Sequence, residues 1–285
     1  MKSQASRRSS LSMLGWIPVL WYLVFLIGPL VFVGITAFAT RGTYGGIEWI
    51  WTAESFSRAF DPLYAQILNR SIYLALGTTI ACGVLGFPMA LAMATAPRAT
   101  RSTLVFLLAI PFLTNLVIRI CALKVFTGFE GPLAMVLTIF GVDFDPYQLS
   151  QNRPLVIFGM VSTYLPFMVF PLFAALEKFD FSLLEAAQDL GATFWQSMRK
   201  VLLPILKPAM ISGSLLVFIP AMGEFLIPDL LGGAKTMLAG NLISEQFLKA
   251  RDWPFGSALS ALLMMSLGLF VFFVRFFSRE QKEAK

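Results

Sequence analysis

Six long apolar stretches most constrain how this chain can fold. They cover residues 14–38, 72–94, 103–126, 155–176, 209–230 and 257–277. A helix needs about 20 mostly apolar residues to cross the hydrocarbon core of a bilayer. Charged residues make up 13% of the chain, whereas soluble domains carry roughly a quarter. The sequence therefore predicts an all-α, polytopic membrane protein with six transmembrane helices.

The whole chain, residues 1–285, is expected to form a single membrane domain. Its core is predicted at residues 63–277, and the first apolar stretch, 14–38, precedes that core. A cleaved signal peptide has an apolar region of roughly 7–15 residues, followed by small residues at the cleavage site. The first stretch is longer and lacks such a site, so we expect it to remain as a span.

The distribution of basic residues predicts the orientation of the spans, because segments rich in Lys and Arg stay in the cytoplasm. With a cytoplasmic N-terminus, the inner segments hold 13 of the 22 basic residues and 6 of the 16 acidic residues. Both termini and residues 177–208 are therefore expected on the cytoplasmic side. The net charge of +6 is explained by topology, and no nucleic-acid partner is expected.

Several kinds of catalytic and metal site are excluded by composition. The chain has no histidine and two cysteines, which excludes a His-based triad, a His-bearing zinc site and a disulfide scaffold. Residues 232–236 read Gly-Gly-Ala-Lys-Thr, but a phosphate-binding loop needs adjacent Gly-Lys-Thr and an earlier Gly. We therefore expect no catalytic residue, metal or cofactor in this chain, and any ATP hydrolysis must come from another subunit.

The predicted cytoplasmic loop, residues 177–208, has the pattern of two short helices. Capping boxes at Ser182–Glu185 and Thr193–Gln196 predict two helix starts, and Gly191 predicts the end of the first helix. From these residues alone, a structured connector and a docking surface remain equally open.

A longer pattern in this loop resembles a known family. It consists of Glu185-Ala186-Ala187, then Gly191, then Val201 with Leu203-Pro204. This resembles the cytoplasmic loop of ABC-importer permeases. The resemblance implies a type I ABC-importer permease fold, in which a coupling helix docks on a separate ATPase subunit. The residues it implies for coupling are Glu185, Ala186, Ala187, Asp189, Gly191, Leu203 and Pro204.

Further stretches resemble the spermidine/putrescine group of these permeases. They are Ile110–Arg119, Leu165–Val169, Pro220–Phe225, Asp229–Lys235 and Arg251–Gly256. The resemblance implies uptake of polyamines across a bacterial inner membrane by alternating access. It also implies a second homologous permease, two cytoplasmic ATPase subunits that bind ATP and Mg, and an extracytoplasmic substrate-binding protein. Membrane lipid surrounds such a chain.

Two ionisable residues, Arg119 and Glu224, lie inside predicted spans, where charges are costly and usually functional. If both spans are straight helices, these residues lie about 24 and about 22 Å from the inner ends of their spans. They either form a structural pair, or Glu224 lines a substrate path and Arg119 has a structural or gating role. The other candidates for the path are Asp229 as a second acid, Phe225 and Tyr164 as cation–π faces, and Asn115 as a hydrogen-bonding group.

Three rival functions remain open from the sequence. The first is an ABC permease for another solute, such as an opine, sulfate or ferric ion. The second is a secondary carrier driven by an ion gradient. The third and weakest is a membrane enzyme, since no intramembrane Ser–Lys or paired-Asp site can be drawn from the spans.

Overall fold

Helices make up nearly all the regular structure in the computed structural model, which describes residues 16, 18–128, 131–140, 153–232 and 237–283. The first elements are α1 (Pro18–Thr36), strands β1 (Thr40–Arg41) and β2 (Ile47–Glu48), α2 (Glu54–Ala59), α3 (Pro62–Thr95), α4 (Arg98–Leu113), α5 (Leu116–Phe126) and α6 (Pro132–Ile139). The later elements are α7 (Arg153–Leu176), α8 (Ser182–Asp189), α9 (Phe194–Gly223), α10 (Leu226–Leu231), α11 (Ala239–Leu248) and α12 (Trp253–Glu283). The strands β1 and β2 pair antiparallel as a small hairpin.

Five of these helices, α1, α3, α7, α9 and α12, are long and apolar enough to cross a membrane. The bent pair of α4 and α5 passes the same test together and, counted as one broken span, brings the number to six. The predicted all-α fold with six spans is therefore confirmed. The predicted stretches 72–94, 155–176 and 257–277 lie within α3, α7 and α12. Residues 14, 15 and 17 of the first stretch lie outside the described residues.

The third predicted span, 103–126, is wrong as a single straight helix. The chain bends by 91° between α4 and α5. Thr114 and Asn115 have extended backbones, with ψ angles of 143° and 131°. The Asn115 side chain accepts a hydrogen bond from the Val117 backbone N–H at 2.8 Å and so caps α5. Asn is a strongly favoured cap, and here it starts a new helix inside an apolar stretch.

The fifth predicted span, 209–230, is also wrong as one continuous helix. Helix α9 ends at Gly223, Glu224 has an extended ψ of 127°, and α10 begins at Leu226. Pro220 lies in the last turn of α9, where it lacks the N–H that a regular helix would use. The span is therefore broken at the position of its acidic residue.

The described residues group into two compact units. One contains the described residues up to Ala65 together with Leu242–Leu269, and the other contains Gln66–Asn241 with the described residues from Phe270 onward. The single membrane domain, its core at 63–277 and the loop bounds 177–208 stay predictions.

In the first unit, polar contacts hold the end of α1 and helix α2 against the start of α12. Thr36 donates a hydrogen bond to the Ser257 hydroxyl at 2.8 Å, and both side chains are buried. Arg58 of α2 forms a 3.0 Å ion pair with the buried carboxylate of Asp252. The same guanidinium lies 4.2 Å from the centre of the Phe255 ring. These contacts fix α1 and α2 to α12.

In the second unit, α7 packs between α3 and α9 through one methionine. A Cβ added at Gly86 of α3 would lie 3.1 Å from the Met168 side chain, and one at Gly213 of α9 would lie 2.9 Å from its sulfur. Met168 is almost fully buried. The two glycines therefore allow both helices to approach α7 closely, as small residues do between membrane helices.

Arg101 joins three helix ends in the same unit. Its guanidinium donates hydrogen bonds to the carbonyl oxygen of Ala94, near the end of α3, at 2.6 Å and to the Glu177 carboxylate at 3.3 Å. Arg101 lies in the first turn of α4, and Glu177 directly follows α7. The start of the 177–208 loop is thus tied to the turn between α3 and α4.

Candidate functional site

The break in the fifth span is built around the carboxylate of Glu224. One carboxylate oxygen accepts hydrogen bonds from the backbone N–H groups of Leu226 at 2.9 Å and Ile227 at 3.3 Å. These are donors that the start of a helix leaves without intrahelical partners. The Glu224 side chain therefore caps α10, and only 9% of the residue's surface is exposed.

Tyr164 of α7 supplies a third donor to the same carboxylate. Its hydroxyl donates a hydrogen bond to the second oxygen of Glu224, and the contact is buried. A buried carboxylate is costly unless it is hydrogen-bonded, and three donors meet that need here. The structure thus brings together two residues that the sequence places 60 positions apart.

Helix α11 holds the broken segment from the other side. A Cβ added at Gly240 would lie 2.6 Å from the Gly223 carbonyl oxygen and 2.7 Å from that of Glu224, so glycine is required for this approach. The Asn241 side-chain N–H group donates to the Phe225 carbonyl oxygen at 2.7 Å. Neither residue is among the site residues predicted from the sequence, since Gly-Asn is typical of a turn and gives no sign of a helix start.

Ser71 of α3 fixes the start of α11. Its buried hydroxyl accepts a hydrogen bond from the Ala239 backbone N–H at 2.8 Å and donates to the Ile67 carbonyl oxygen at 3.0 Å. One side chain from α3 therefore caps α11, and this sets where α11 meets the break.

Arg119 of α5 lies beside this site but is not paired with Glu224. Its guanidinium donates to the Pro111 carbonyl oxygen at 3.2 Å and to the Thr163 hydroxyl at 3.0 Å. The ion pairs found among the described residues do not include Arg119 with Glu224. Thr163 directly precedes Tyr164, so neighbouring residues of α7 hold the two charges separately.

The side chains of the remaining candidates for the path are exposed, although the Phe225 carbonyl oxygen accepts the hydrogen bond from Asn241. Phe225 is 46% exposed, and Asp229 is exposed in the first turn of α10. Asn115 is exposed and caps α5. The roles of these residues in a substrate path stay predictions.

The 177–208 loop contains the two predicted helices, with one difference at the first start. The Ser182 capping box is wrong, because Ser182 is already helical and its backbone N–H donates to the Asp180 carboxylate at 3.1 Å. Hydrogen bonds from the Ser182 side chain and then from its backbone lower the pKa of Asp180. The Thr193–Gln196 capping box is confirmed, with both of its hydrogen bonds formed.

Gly191 ends the first loop helix as the sequence predicts. Its φ is +87°, and its backbone N–H donates to the Gln188 carbonyl oxygen at 2.8 Å. Glycine adopts this left-handed conformation at little cost, whereas residues with a Cβ do so rarely. The chain therefore reverses at Gly191 between α8 and α9.

The loop presents an exposed surface that is acidic on α8 and apolar at its edge. Glu185, Ala186 and Asp189 are exposed on α8, while Leu184 is buried beneath them. Three large apolar side chains at the edge of this surface are exposed, and they are Leu190, Phe194 and Trp195. Of the other coupling candidates, Ala187 and Leu203 are half-buried and Pro204 is exposed. Exposed apolar clusters mark sites of contact with another protein or with the membrane.

Comparison with known proteins identifies relatives that cover most of the chain. Residues 82–279 match the family described as "Binding-protein-dependent transport system inner membrane component". The spermidine/putrescine transport system permease protein PotB of Escherichia coli strain K12 is 43% identical over 249 residues, which cover 87% of this chain and 90% of that protein. PotB of Haemophilus influenzae is 42% identical over 252 residues, covering 88% of each.

A solved structure shares the fold of this chain at low sequence identity. It is a chain of a bacterial ABC transporter involved in the import of the acidic polysaccharide alginate. The TM-score is 0.72, the identity is 20%, and 97% of each chain is covered. The type I permease fold expected from the loop pattern is confirmed by this likeness.

The expectation of a transport subunit rather than an enzyme is confirmed by the family and by the relatives. The chain belongs to the family of inner membrane permease components of binding-protein-dependent ABC transport systems.

Proposed function

We propose that this chain is the permease subunit of an ATP-driven importer that carries polyamines across the bacterial inner membrane. The observation that carries the proposal is the 43% identity, over 87% of the chain, to a permease named for spermidine and putrescine transport. The chain itself performs no bond chemistry. Its task is to offer a path for the substrate and to change the accessibility of that path.

In this proposal, Glu224 attracts the ammonium groups of the substrate at the break of the fifth span. Tyr164 and Phe225 offer aromatic faces to the cation, Asp229 adds a second acid, and Asn115 offers a hydrogen-bonding side chain. Arg119 has a gating role, because a positive charge beside the path limits how tightly a cation is held. A transport site must bind its cargo weakly enough to release it.

The exposed surface of the 177–208 loop docks on a cytoplasmic ATPase subunit in this account. Glu185 and Asp189 meet basic or polar groups of that subunit, and Ala186 and Ala187 allow close approach. Leu203 and Pro204 join the loop to the fifth span, so movement of α8 reaches the break at Glu224. ATP and Mg bind to the ATPase subunits, and this chain holds neither.

The proposed assembly contains this chain, a second homologous permease, two ATPase subunits and an extracytoplasmic substrate-binding protein. Both termini face the cytoplasm, as the basic residues predict. Helix α1 faces a partner or lipid along its length, because nearly all of its side chains are exposed within the chain.

Competition for uptake tests the proposed substrate. The complete transporter is reconstituted in liposomes, and uptake of labelled spermidine and putrescine is measured. The competitors are unlabelled polyamines, an opine, sulfate and ferric ion. We expect unlabelled polyamines to compete and the other solutes to have no effect. Uptake of labelled sulfate, ferric ion or opine that is insensitive to polyamines would contradict the proposal.

Glu224→Gln tests whether this acid lies on the path. We expect uptake of labelled polyamine to fall at least about tenfold, because the substitution removes the negative charge that attracts the ammonium group. Glu54→Gln, which changes an exposed acid of α2, is the matched control and should leave uptake unchanged. Unchanged uptake in Glu224→Gln would remove the residue from the path. Failed assembly of both Glu224→Gln and Arg119→Gln would instead show a structural role for the two charges.

A further inference from the structure

The break between α9 and α10 gathers hydrogen-bond acceptors. The last four carbonyl groups of a helix have no intrahelical partner, and they form the negative end of the helix dipole. Helix α9 ends in this way at Gly223, directly before the buried carboxylate of Glu224. The end of the helix and the acid therefore place negative potential at the same point.

The Glu224 carboxylate has capacity for a further hydrogen bond. An ionised carboxylate offers about four lone-pair sites. Three donors reach it, namely the Tyr164 hydroxyl and the backbone N–H groups of Leu226 and Ile227. One acceptor site is left for a ligand.

Asn241 adds a second acceptor that the fold leaves unused. Its side-chain nitrogen donates to the Phe225 carbonyl oxygen at 2.7 Å, which fixes the orientation of the amide. Its side-chain oxygen is buried and accepts no hydrogen bond from the part of the chain that the structure describes. Buried polar atoms are normally paired, so an unpaired acceptor on the side chain that holds the residue after Glu224 indicates a place for a donor.

We propose that Glu224, the side-chain oxygen of Asn241 and the terminal carbonyl groups of α9 form a subsite for a protonated amine. This inference rests on the proposed polyamine function and names the residues that would recognise the substrate's ammonium group. A primary ammonium offers three N–H donors and no acceptor, which matches a set made only of acceptors. An anionic cargo would be repelled by the same atoms. Ends of interrupted helices bind cations in this way in other classes of transporter.

The position of Arg119 is compatible with this subsite. Its guanidinium donates to Pro111 and Thr163, so it does not occupy the acceptors of Glu224 or Asn241.

Gly240 holds Asn241 against the break, since the added Cβ at that position would lie 2.7 Å from the Glu224 carbonyl oxygen. Asn241 is therefore a specificity-determining residue whose two side-chain atoms have separate roles. The nitrogen holds the backbone, and the oxygen meets the substrate.

Two substitutions at Asn241 separate these roles. The complete transporter is reconstituted in liposomes with its binding protein saturated with spermidine, so that the maximal uptake rate reports the passage through the permease. Rates are normalised to the amount of assembled complex. Asn241→Leu removes both side-chain atoms, and Asn241→Asp keeps an acceptor oxygen but loses the donor to Phe225. Asn69→Leu, which changes an exposed asparagine of α3, is the control.

We expect Asn241→Leu to lower the maximal spermidine rate about tenfold, the usual scale for one lost hydrogen bond to a charged group. Asn241→Asp should keep at least half of the rate, and Asn69→Leu should match the wild type. Should Asn241→Leu fail to assemble, Asn241→Ala removes the same oxygen and carries the same expectation.

Two results would overturn the inference while leaving the proposed function intact. Asn241→Asp as defective as Asn241→Leu would show that the residue only holds the backbone. A wild-type rate in Asn241→Leu would place the residue outside the path. Failure of the wild-type transporter to take up spermidine is a different result, because it would overturn the proposed function and the subsite together.

Discussion

At the scale of single residues, the Glu224 side chain both caps a helix and receives a hydrogen bond from a neighbouring helix. Its carboxylate caps α10 through two backbone N–H groups and also accepts the Tyr164 hydroxyl. The negative charge can therefore remain buried inside an apolar span. In the proposed function, a charge stabilised in this way meets a cation without first being desolvated.

Tyr164→Phe tests how much the hydroxyl contributes to this arrangement. The change leaves the ring in place but removes one of three donors to a buried carboxylate. We expect the free energy of unfolding to fall by about 1.5–3 kcal/mol, the usual range for a hydrogen bond to a charged group. The midpoint of thermal unfolding of the purified complex should fall accordingly.

Tyr73→Phe is the matched control, because Tyr73 is 75% exposed on α3. Its unfolding midpoint should equal that of the wild type. Equal midpoints for Tyr164→Phe and the wild type would show that the contact with Glu224 does not stabilise the fold.

The sequence was sufficient to single out Glu224 and Tyr164 but not to pair them. An ionisable residue in an apolar stretch is visible in any hydropathy pattern, whereas a hydrogen bond between residues 60 positions apart depends on how α7 and α9 pack. Asn241 was missed for the same reason. Its importance depends on α11, whose start is capped by Ser71 from α3.

At the scale of elements, both broken spans contain a polar side chain that caps a helix. In each, a polar residue inside an apolar stretch caps the helix that follows: Asn115 caps α5 through the Val117 N–H, and Glu224 caps α10 through the Leu226 N–H. Hydropathy alone cannot reveal such a break, because the residues on both sides remain apolar. The depth inferred for Arg119 from a straight helix therefore does not hold, whereas residues 209–223, which lead to Glu224, form one continuous helix. The 91° bend lies between Arg119 and the start of its span.

The loop was predicted more closely than the spans, because its signals are local. Capping residues and a glycine stop act over three or four positions, so Thr193 and Gly191 could be assigned from sequence alone. Even there, Asp180 rather than Ser182 receives the first free N–H of α8. Both side chains can accept such a bond, and the choice between them depends on where the helix begins.

Gly191→Val tests the element that joins the loop helices. Valine at a φ of +87° is strained by about 1–3 kcal/mol, although nothing lies within 4 Å of the added Cβ. We expect the variant to insert and to assemble with its partner permease but to lose ATP-dependent transport, because α8 can no longer keep its position relative to α9. Transport and ATP hydrolysis are measured on the same reconstituted complex.

Gly77→Val in α3 is the matched control for this substitution. Nothing lies within 4 Å of a Cβ added at Gly77, and its backbone is not left-handed. It should transport at the wild-type rate. Normal transport by Gly191→Val would show that the turn at Gly191 is not needed for coupling.

At the scale of the whole molecule, the scarce charges have distinct locations. The predicted cytoplasmic segments hold 13 of the 22 basic residues, and Arg101 ties one of these segments to the ends of α3 and α4. In the first unit, Asp252 is paired with Arg58 at the start of α12. Glu224 is the acid buried at a broken span, and it is the residue on which the proposed substrate path depends.

The division of labour between subunits is the central claim of this account. In the proposed function, the chain offers a path and a docking loop, and energy comes from separate ATPase subunits. A carrier driven by an ion gradient would need neither of these partners. The two possibilities therefore differ in what happens when the ATPase subunits are left out.

The most direct measurement is accumulation of labelled spermidine in proteoliposomes containing both permeases and the loaded binding protein, with the ATPase subunits present or omitted. We predict accumulation that requires the ATPase subunits and ATP and that continues when the proton gradient is dissipated. Accumulation that persists without the ATPase subunits and collapses with the proton gradient would contradict the account.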